Sequence, residues 1–449
     1  MRTKKIICTL LSVIIACGMS VISIGCDSSI NNTPIDISSL EELYAMDSKK
    51  SYRLTCDLDL QGRDWTPLSV KAFDGNGHTI SNVAISKSCI IGNNVYFGFL
   101  ATCERIENVT FDGVTVNAAS TFSANFLRIG AAVGEAVAVR RVTVTNAYID
   151  VYADDGMLQC GGIVGNVHGS EKILGDVYEN GGEVSDCRVD KCEIVSFKFG
   201  YIGGIAGDGG AHITKCTANG VKIDSDGMLG GVIGYLRPFA NKAEYKLEDC
   251  SARDCDLKSD EGNVGGLVGT NCGVMKRCLS ENNAIAVGKQ KNRVGGLVGV
   301  NSGKATDCLS RDNAIVSSAT GKGETSYFGG FAGSTNDTVR SCVAYGNKIE
   351  CHDSVSYAAG FAASVGSTVS YCASEHISWA GNPTKFYSFA PNVDYLVNCY
   401  AYGGDPIIDK VATIIGDEEF LSVEWLKENL KLDDDVWLLK DGSKPSFNI

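Results

Sequence analysis

The sequence predicts an all-β chain: a right-handed parallel β-helix of about ten coils, with short capping helices at the two ends. Three observations carry this. A glycine motif recurs at a spacing of 27 to 35 residues, with one interval of 42. A column of eight cysteines follows the motif at a matching interval: Cys187, Cys216, Cys250, Cys278, Cys308, Cys342, Cys372 and Cys399. Around each cysteine, small and large apolar residues keep a period of two, which is strand behaviour.

In chain order, Arg2, Lys4 and Lys5 precede an apolar run from Ile6 to Ile24, then Gly25, Cys26 and a polar stretch to Asn32. A basic start, an apolar core and a small residue before a cleavage point form a secretory signal over residues 1–25. Ile22-Ser23-Ile24-Gly25-Cys26 resembles a bacterial lipobox, in which the cysteine is acylated and becomes the new N-terminus. Ile14-Ile15-Ala16-Cys17 is a second candidate, but cleavage there leaves an apolar tail, whereas Cys26 leaves a polar tether over 26–36. An uncleaved membrane anchor and an ordinary cleaved signal are the alternatives. All three export the remainder, to the cell surface or to a lipid-anchored position on the membrane.

The β-helix with its N-terminal cap is expected over 37–403. Ser38-Ser39-Leu40-Glu41-Glu42-Leu43 fits a helix start with a capping box. Tyr52 to Leu60 reads as an opening strand. The glycine motif is sharpest at Gly161-Gly162-Ile163-Val164-Gly165, Gly265-Gly266-Leu267-Val268-Gly269 and Gly295-Gly296-Leu297-Val298-Gly299. Small residues follow two places after each cysteine, and a large apolar one seven places after, as in Ile285 and Ile315. Each repeat thus gives three short strands: the glycine motif, the cysteine strand and the isoleucine strand. Coils stacked at about 4.8 Å make a rod about 45–50 Å long. Asn283, Asn313 and Asn347 share one register, where asparagine suits a left-handed turn and stacked amides can bond between coils. Asp186, Lys215, Asp249, Arg277 and Asp307, just before the cysteines, should face solvent and pair vertically. Residues 404–449 read as a C-terminal capping segment, with an amphipathic helix at Ser422–Leu430 and a closing strand at Val436–Leu439.

Gly295–Gly299, followed by Asp307-Cys308-Leu309-Ser310, resembles the GLUG repeat, and Asn398-Cys399-Tyr400-Ala401 is similar to the same family's second half. The opening, from Tyr52 through Trp65-Thr66-Pro67-Leu68 to Phe73-Asp74-Gly75-Asn76-Gly77, looks like the usual start of such proteins. The resemblance covers about residues 35–449. It implies a bacterial surface β-helix of the adhesin kind and brings no catalytic residues.

The 449 residues are 44% hydrophobic, enough for a large core. The formal charge is −13, and loss of Arg2, Lys4 and Lys5 with the signal takes it to −16. That sign argues against nucleic acid as a partner. Sixteen cysteines lie beyond Cys26. The ladder could fill the core, form disulfides or bind metal. A linear column lacks the tetrahedral arrangement of a zinc site, and buried thiols behave as small hydrophobes. Cys187/Cys192, Cys250/Cys255 and Cys272/Cys278 are the disulfide candidates by spacing. None of the five histidines is followed by glutamate, so the zinc-protease motif is absent. Asp57, Asp59 and Asp74 read as turn-fixing before they read as catalytic acids. Tyr345, Tyr357, Tyr371, Tyr387, Tyr400 and Tyr402 are candidates for an aromatic surface, or for ordinary lateral packing.

No catalytic set, metal site or cofactor is therefore expected. The expectation is a non-enzymatic surface module that binds a glycan or protein of a host or neighbouring cell, its membrane contact made by the lipid anchor. A carbohydrate-active lyase or hydrolase and a purely architectural spacer are the alternatives.

Overall fold

The computed structural model describes residues 33–120, 123–153, 155–169, 181–238, 244–289, 291–318, 325–352, 356–375, 378–381, 383–403 and 412–446. From Pro34 onward they form a parallel β-solenoid of about ten turns, 56% strand and 5% helix. Cys17 and Cys26 lie outside the described residues.

A single coil shows the rule. It runs through Arg293–Gly295, Val298–Asn301, Lys304–Thr306, Leu309–Arg311 and Ala314–Ser317. Each strand pairs in parallel with its equivalent in the next coil, as Val294 with Phe328 and Ile315 with Ile349. There are thus five short strands per coil rather than three. The glycine motif is not a strand but the corner between two of them.

Close approach is the reason for glycine at that corner. A Cβ on Gly296 would lie 2.2 Å from the Gly330 carbonyl oxygen and 2.4 Å from Ser310 Oγ. The small residue two places after each cysteine faces this corner from within, which explains why Ala252, Ser280 and Ser310 are fully buried there. Large apolar residues fill the remaining interior. Phe331, Phe361 and Phe389 stack coil on coil, with ring centroids 4.6 and 4.8 Å apart.

The residue before each ladder cysteine turns a left-handed corner: φ is 53° at Asp186 and Lys215, 57° at Asp249, 50° at Arg277 and 53° at Asp307. A side chain in that region costs roughly 1–2 kcal/mol. The corner N–H bonds the next coil in return, as Arg277 does to the Thr306 carbonyl at 3.2 Å. Of the expected vertical charge column, one pair is bonded: Arg277 donates to Asp249 at 2.6 and 2.8 Å. Asp307 is half-buried instead, and burial pushes its carboxyl up, offset by the Trp437 indole.

At the opening end, the expected strand Tyr52–Leu60 is two, Ser51–Leu54 and Leu58–Asp59. Helix α1, Leu40–Tyr44, has Ser39 as N-cap, its hydroxyl accepting from the Glu42 N–H. The Glu42 carboxylate reaches the Ser38 N–H at 2.7 Å, one residue before the N-cap, so the capping box is displaced by one.

The C-terminal residues differ most from expectation. Helices α2 (Asp417–Phe420) and α3 (Val423–Leu430) form, but Val436–Leu439 is no strand, only a bridge from Leu438 to Ser446. Thr413–Ile415 instead adds a last parallel rung on Tyr400–Tyr402, and the helices follow from it. The helical part lies along the lateral face, where Phe420, Leu426, Leu430, Leu432 and Trp437 share a second core with Leu279, Leu309, Val343 and Ala373. Those four are the outward residues just after successive ladder cysteines. Their counterparts in earlier coils are Arg188, Thr217 and Ser251, so the face turns apolar where the segment covers it.

Candidate functional site

The eight ladder cysteines are all buried in the interior. Their thiols make weak contacts with the carbonyl two residues back, as Cys308 Sγ does to Thr306 at 3.1 Å. Burial pushes the thiols of Cys187, Cys250, Cys308 and Cys342 up, so they stay protonated. Among the described residues sixteen cysteines are thiols and none is in a disulfide, including the three pairs with suggestive spacing. Cys192 and Cys255 face inward in their own column, five residues on from the ladder. No group of three or more histidines, cysteines and acids among the described residues could hold a metal ion.

Asn283, Asn313 and Asn347 form a buried amide ladder. Asn283 Nδ2 donates to Asn313 Oδ1 at 3.0 Å, and Asn313 Nδ2 to Asn347 Oδ1 at 2.9 Å. The left-handed residue in this corner is the preceding one, Asn282 or Asp312, both near φ 56° (55° and 57°). The asparagines therefore serve as internal bonding partners, not as turn residues.

Asp59 and Asp74 fix turns, accepting from the Gln61 N–H at 2.8 Å and the Asn76 N–H at 2.8 Å, whereas Asp57 ties to the next coil, accepting from the Thr79 N–H at 2.9 Å. Of the two readings of the later tyrosines, lateral packing holds for three of them. Tyr345, Tyr400 and Tyr402 pack under the C-terminal segment. Tyr371 lies beneath the Arg340 guanidinium at 4.4 Å.

A different constellation appears on the outside of the glycine corner. The strands before and after it meet at a re-entrant angle, because Gly299 lets them approach: a Cβ there would lie 2.7 Å from Val264 N. One column of outward residues occupies the first strand: Tyr96, Arg128, Gln159, Tyr201, Met228, Asn263, Arg293, Tyr327, Tyr357 and Lys385, stacked in register. A second column lies seven residues on: Glu135, Asn166, Asp208, Tyr235, Thr270, Val300, Ser334 and Ser364. The columns touch across the angle, as Asn263 Nδ2 does to Thr270 Oγ1 at 3.1 Å. They line a trough along the rod.

In its first half the trough holds buried charge. Arg128 donates to Glu135 at 2.6 Å and to Gln159 at 2.9 Å. Gln159 donates to Asp208 at 2.5 Å, and Arg237 grips the same carboxylate from the next coil, with Nε at 2.6 Å. Glu135 also accepts from Tyr96 at 2.9 Å and Asn166 at 3.1 Å, and pairs with His168 at 2.8 Å. Burial alone would raise Glu135, but His168, Arg128 and Tyr96 bring its pKa down to about 2. The same contact raises His168. Burial raises Asp208, which is 0% exposed, against the pull of Arg237 and Gln159. Above this network the Tyr201 and Tyr235 rings lie 5.0 Å apart.

In its second half the first column reads cation, ring, ring, cation. The Arg293 guanidinium lies 5.9 Å from the Tyr327 ring, Tyr327 and Tyr357 are 5.5 Å apart, and Lys385 Nζ is 5.9 Å from the Tyr357 ring. Sequence reasoning missed all of these except Tyr357. The available signal was the residue two places before each Gly-Gly pair.

Comparison of the chain with protein-family models, curated proteins and solved structures gives no match.

Proposed function

We propose that the chain is an exported solenoid of the GLUG-repeat kind, lipid-anchored through Cys26, that holds an extended ligand in its trough without turnover. The convergence of two outward columns at one re-entrant angle carries this reading, since it gives a repeating row of rings and polar groups. Concave sites with a few placed polar groups are the usual places for ligands. Buried charge is expensive to keep and concentrates at functional sites. A ligand lying along the rod would meet one first-column residue per coil, about every 4.8 Å, over a nearly covered second column. A glycan or extended protein segment of a host or neighbouring cell fits that geometry. The N-terminal lipid would keep the rod at the membrane surface, its lateral face available.

A second reading has one observation in its favour. Glu135, Arg128, His168 and Tyr96 stand within hydrogen-bond reach of each other, as lytic sites require. Both Glu135 oxygens are taken by protein donors, however, which disfavours it as a base. The test is a glycan and matrix-protein array read with the wild type and a variant that removes rings from both halves of the trough, Tyr201→Ala/Tyr235→Ala/Tyr327→Ala/Tyr357→Ala, beside a turnover screen on polysaccharides. Binding lost in the variant without product release supports the proposal. Cleavage that disappears in Glu135→Gln replaces it with the lyase reading. No specific hit on the array favours a spacer.

A further inference from the structure

We infer that the second half of the trough, from Arg293 to Lys385, is a binding site for a carboxylate-bearing polysaccharide, at least four sugars long. This rests on the trough being the ligand-binding face and adds the class of ligand.

The chain carries a strong excess of acid, with 53 acidic against 40 basic residues. Several of its arginines are spent in ion pairs: Arg128 with Glu135, Arg237 with Asp208, Arg277 with Asp249 and Arg311 with Glu281. Arg293 and Lys385 are distinguished by their place, at the two ends of one row of rings. Neither has a carboxylate partner among the described residues, and each rests against a tyrosine ring instead. The two occupy the same column as the two rings, at consecutive positions. Three coil steps separate them, about 14 Å.

The facing column changes character over the same coils. Where the first half presents Glu135, Asp208 and Tyr235, the second presents Val300, Ser334 and Ser364. Ser334 is 4% exposed, faces the trough, and its hydroxyl has no hydrogen-bond partner. A buried hydroxyl left without a partner is uncommon. The Ser334 oxygen is closed to solvent, so the residue forms the dry floor beneath the strip and leaves ligand contact to the rings and cations above it.

The chemistry of the occupant follows. Two aromatic faces in a row suit the apolar faces of pyranose rings. Arginine and lysine at the two ends suit carboxylates, through charge-assisted hydrogen bonds. A glycan laid along the trough with one sugar per coil would stack its middle two units on Tyr327 and Tyr357 and present acids on its outer two to Arg293 and Lys385. Binding should therefore need four units. A double-stranded nucleic acid would meet the chain's acidic excess everywhere outside this strip.

The experiment is calorimetric titration of the full-length protein with oligogalacturonates of two to six units, neutral cello-oligosaccharides of equal length, and a chondroitin sulfate oligosaccharide as the sulfated probe. Variants are Arg293→Gln, Lys385→Gln, Tyr327→Ala and Tyr357→Ala, with Tyr152→Ala on another face as control. Lys385 and Tyr152 are exposed and the other three half-buried, none is in the interior, and unchanged melting temperatures would confirm the fold. The expected result is binding of galacturonate from four units up, weakened about tenfold by either cation variant and by either ring variant, and by added salt. Preference for the neutral oligosaccharide, lost with the rings and indifferent to the cations, overturns the acidic class and leaves the trough reading standing. Preference for the sulfated probe likewise overturns the carboxylate. Absence of binding to all three, or binding that no variant alters, overturns both.

Discussion

Asn313→Ala removes the middle rung of the buried amide ladder. The Asn313 side chain accepts from the Asn283 backbone N–H at 3.0 Å and from Asn283 Nδ2 at 3.0 Å. It donates to Asn347 Oδ1 at 2.9 Å and Ser310 Oγ at 3.1 Å. After truncation Asn283 Nδ2 keeps Ser280 Oγ at 2.9 Å, and Asn347 Oδ1 keeps the Asn313 N–H at 3.1 Å. The Asn283 backbone N–H keeps nothing. An orphaned buried donor costs about 1–3 kcal/mol, and each lost bond about 0.5–1.5 kcal/mol net. With the small void, the loss should be about 3–5 kcal/mol. Asn282→Ala is the control: Asn282 is exposed at φ 55° and its side chain donates only to the exposed Asp254, so the loss should be roughly 1–2 kcal/mol, mainly from the left-handed conformation. Urea unfolding followed by circular dichroism gives the midpoints. Hydrogen exchange of the 279–287 peptide reports the Asn283 amide directly, which matters because coils in a solenoid can unfold locally. A shift under about 0.5 kcal/mol with that amide still protected would refute the ladder's role.

Thiol labelling should separate two classes: Cys56, Cys89 and Cys272, which are half-buried, react in the native protein, and the thirteen buried cysteines react only after unfolding. A total below sixteen under denaturing, non-reducing conditions would mean disulfides. The Glu135 network makes stability depend on pH in a known direction. Its pKa is lowered from 4.5 to about 2, so its contribution is complete above 4.5 and is lost as pH falls toward 2. The ceiling is about 3 kcal/mol. His168 is raised, so its share is complete below 6.5 and is lost as pH rises through its folded value; its partial exposure keeps this under about 1 kcal/mol. Glu135→Gln should flatten the acid limb of a plot of urea midpoint against pH, and an unchanged limb would contradict the pairing. Trp437→Ala should destabilise the C-terminal segment by about 3–5 kcal/mol and expose Leu279, Leu309 and Val343 to a hydrophobic dye. Dye binding equal to the wild type would mean that the segment does not rely on this contact.

The solenoid was legible because cysteine, small-residue and isoleucine positions repeat in fixed order. Each column marks an inward residue that any coil must supply. The left-handed corners were not legible from residue type: Lys215, Arg277 and Tyr371 occupy a conformation that favours glycine or asparagine, held there by bonds to the next coil. The trough was hidden for a different reason. Arg128 and Glu135 are seven residues apart, too far for an ion pair along a strand or a helix, and only the glycine corner brings them to 2.6 Å. The C-terminal helix was visible as amphipathic, yet its destination depended on Leu279, Leu309, Val343 and Ala373. Each looked like an ordinary strand residue beside its cysteine.

Oxidative footprinting of the aromatic side chains, with and without a bound galacturonate oligomer, tests the trough most directly. It reads each ring separately and includes rings far from the trough, among them Tyr152 at 66% exposure and Phe197 at 87%. Protection of Tyr327 and Tyr357, with Tyr152 and Phe197 unchanged, is the predicted result. Protection confined to Tyr152 and Phe197, or to no ring, would contradict a ligand lying in the trough.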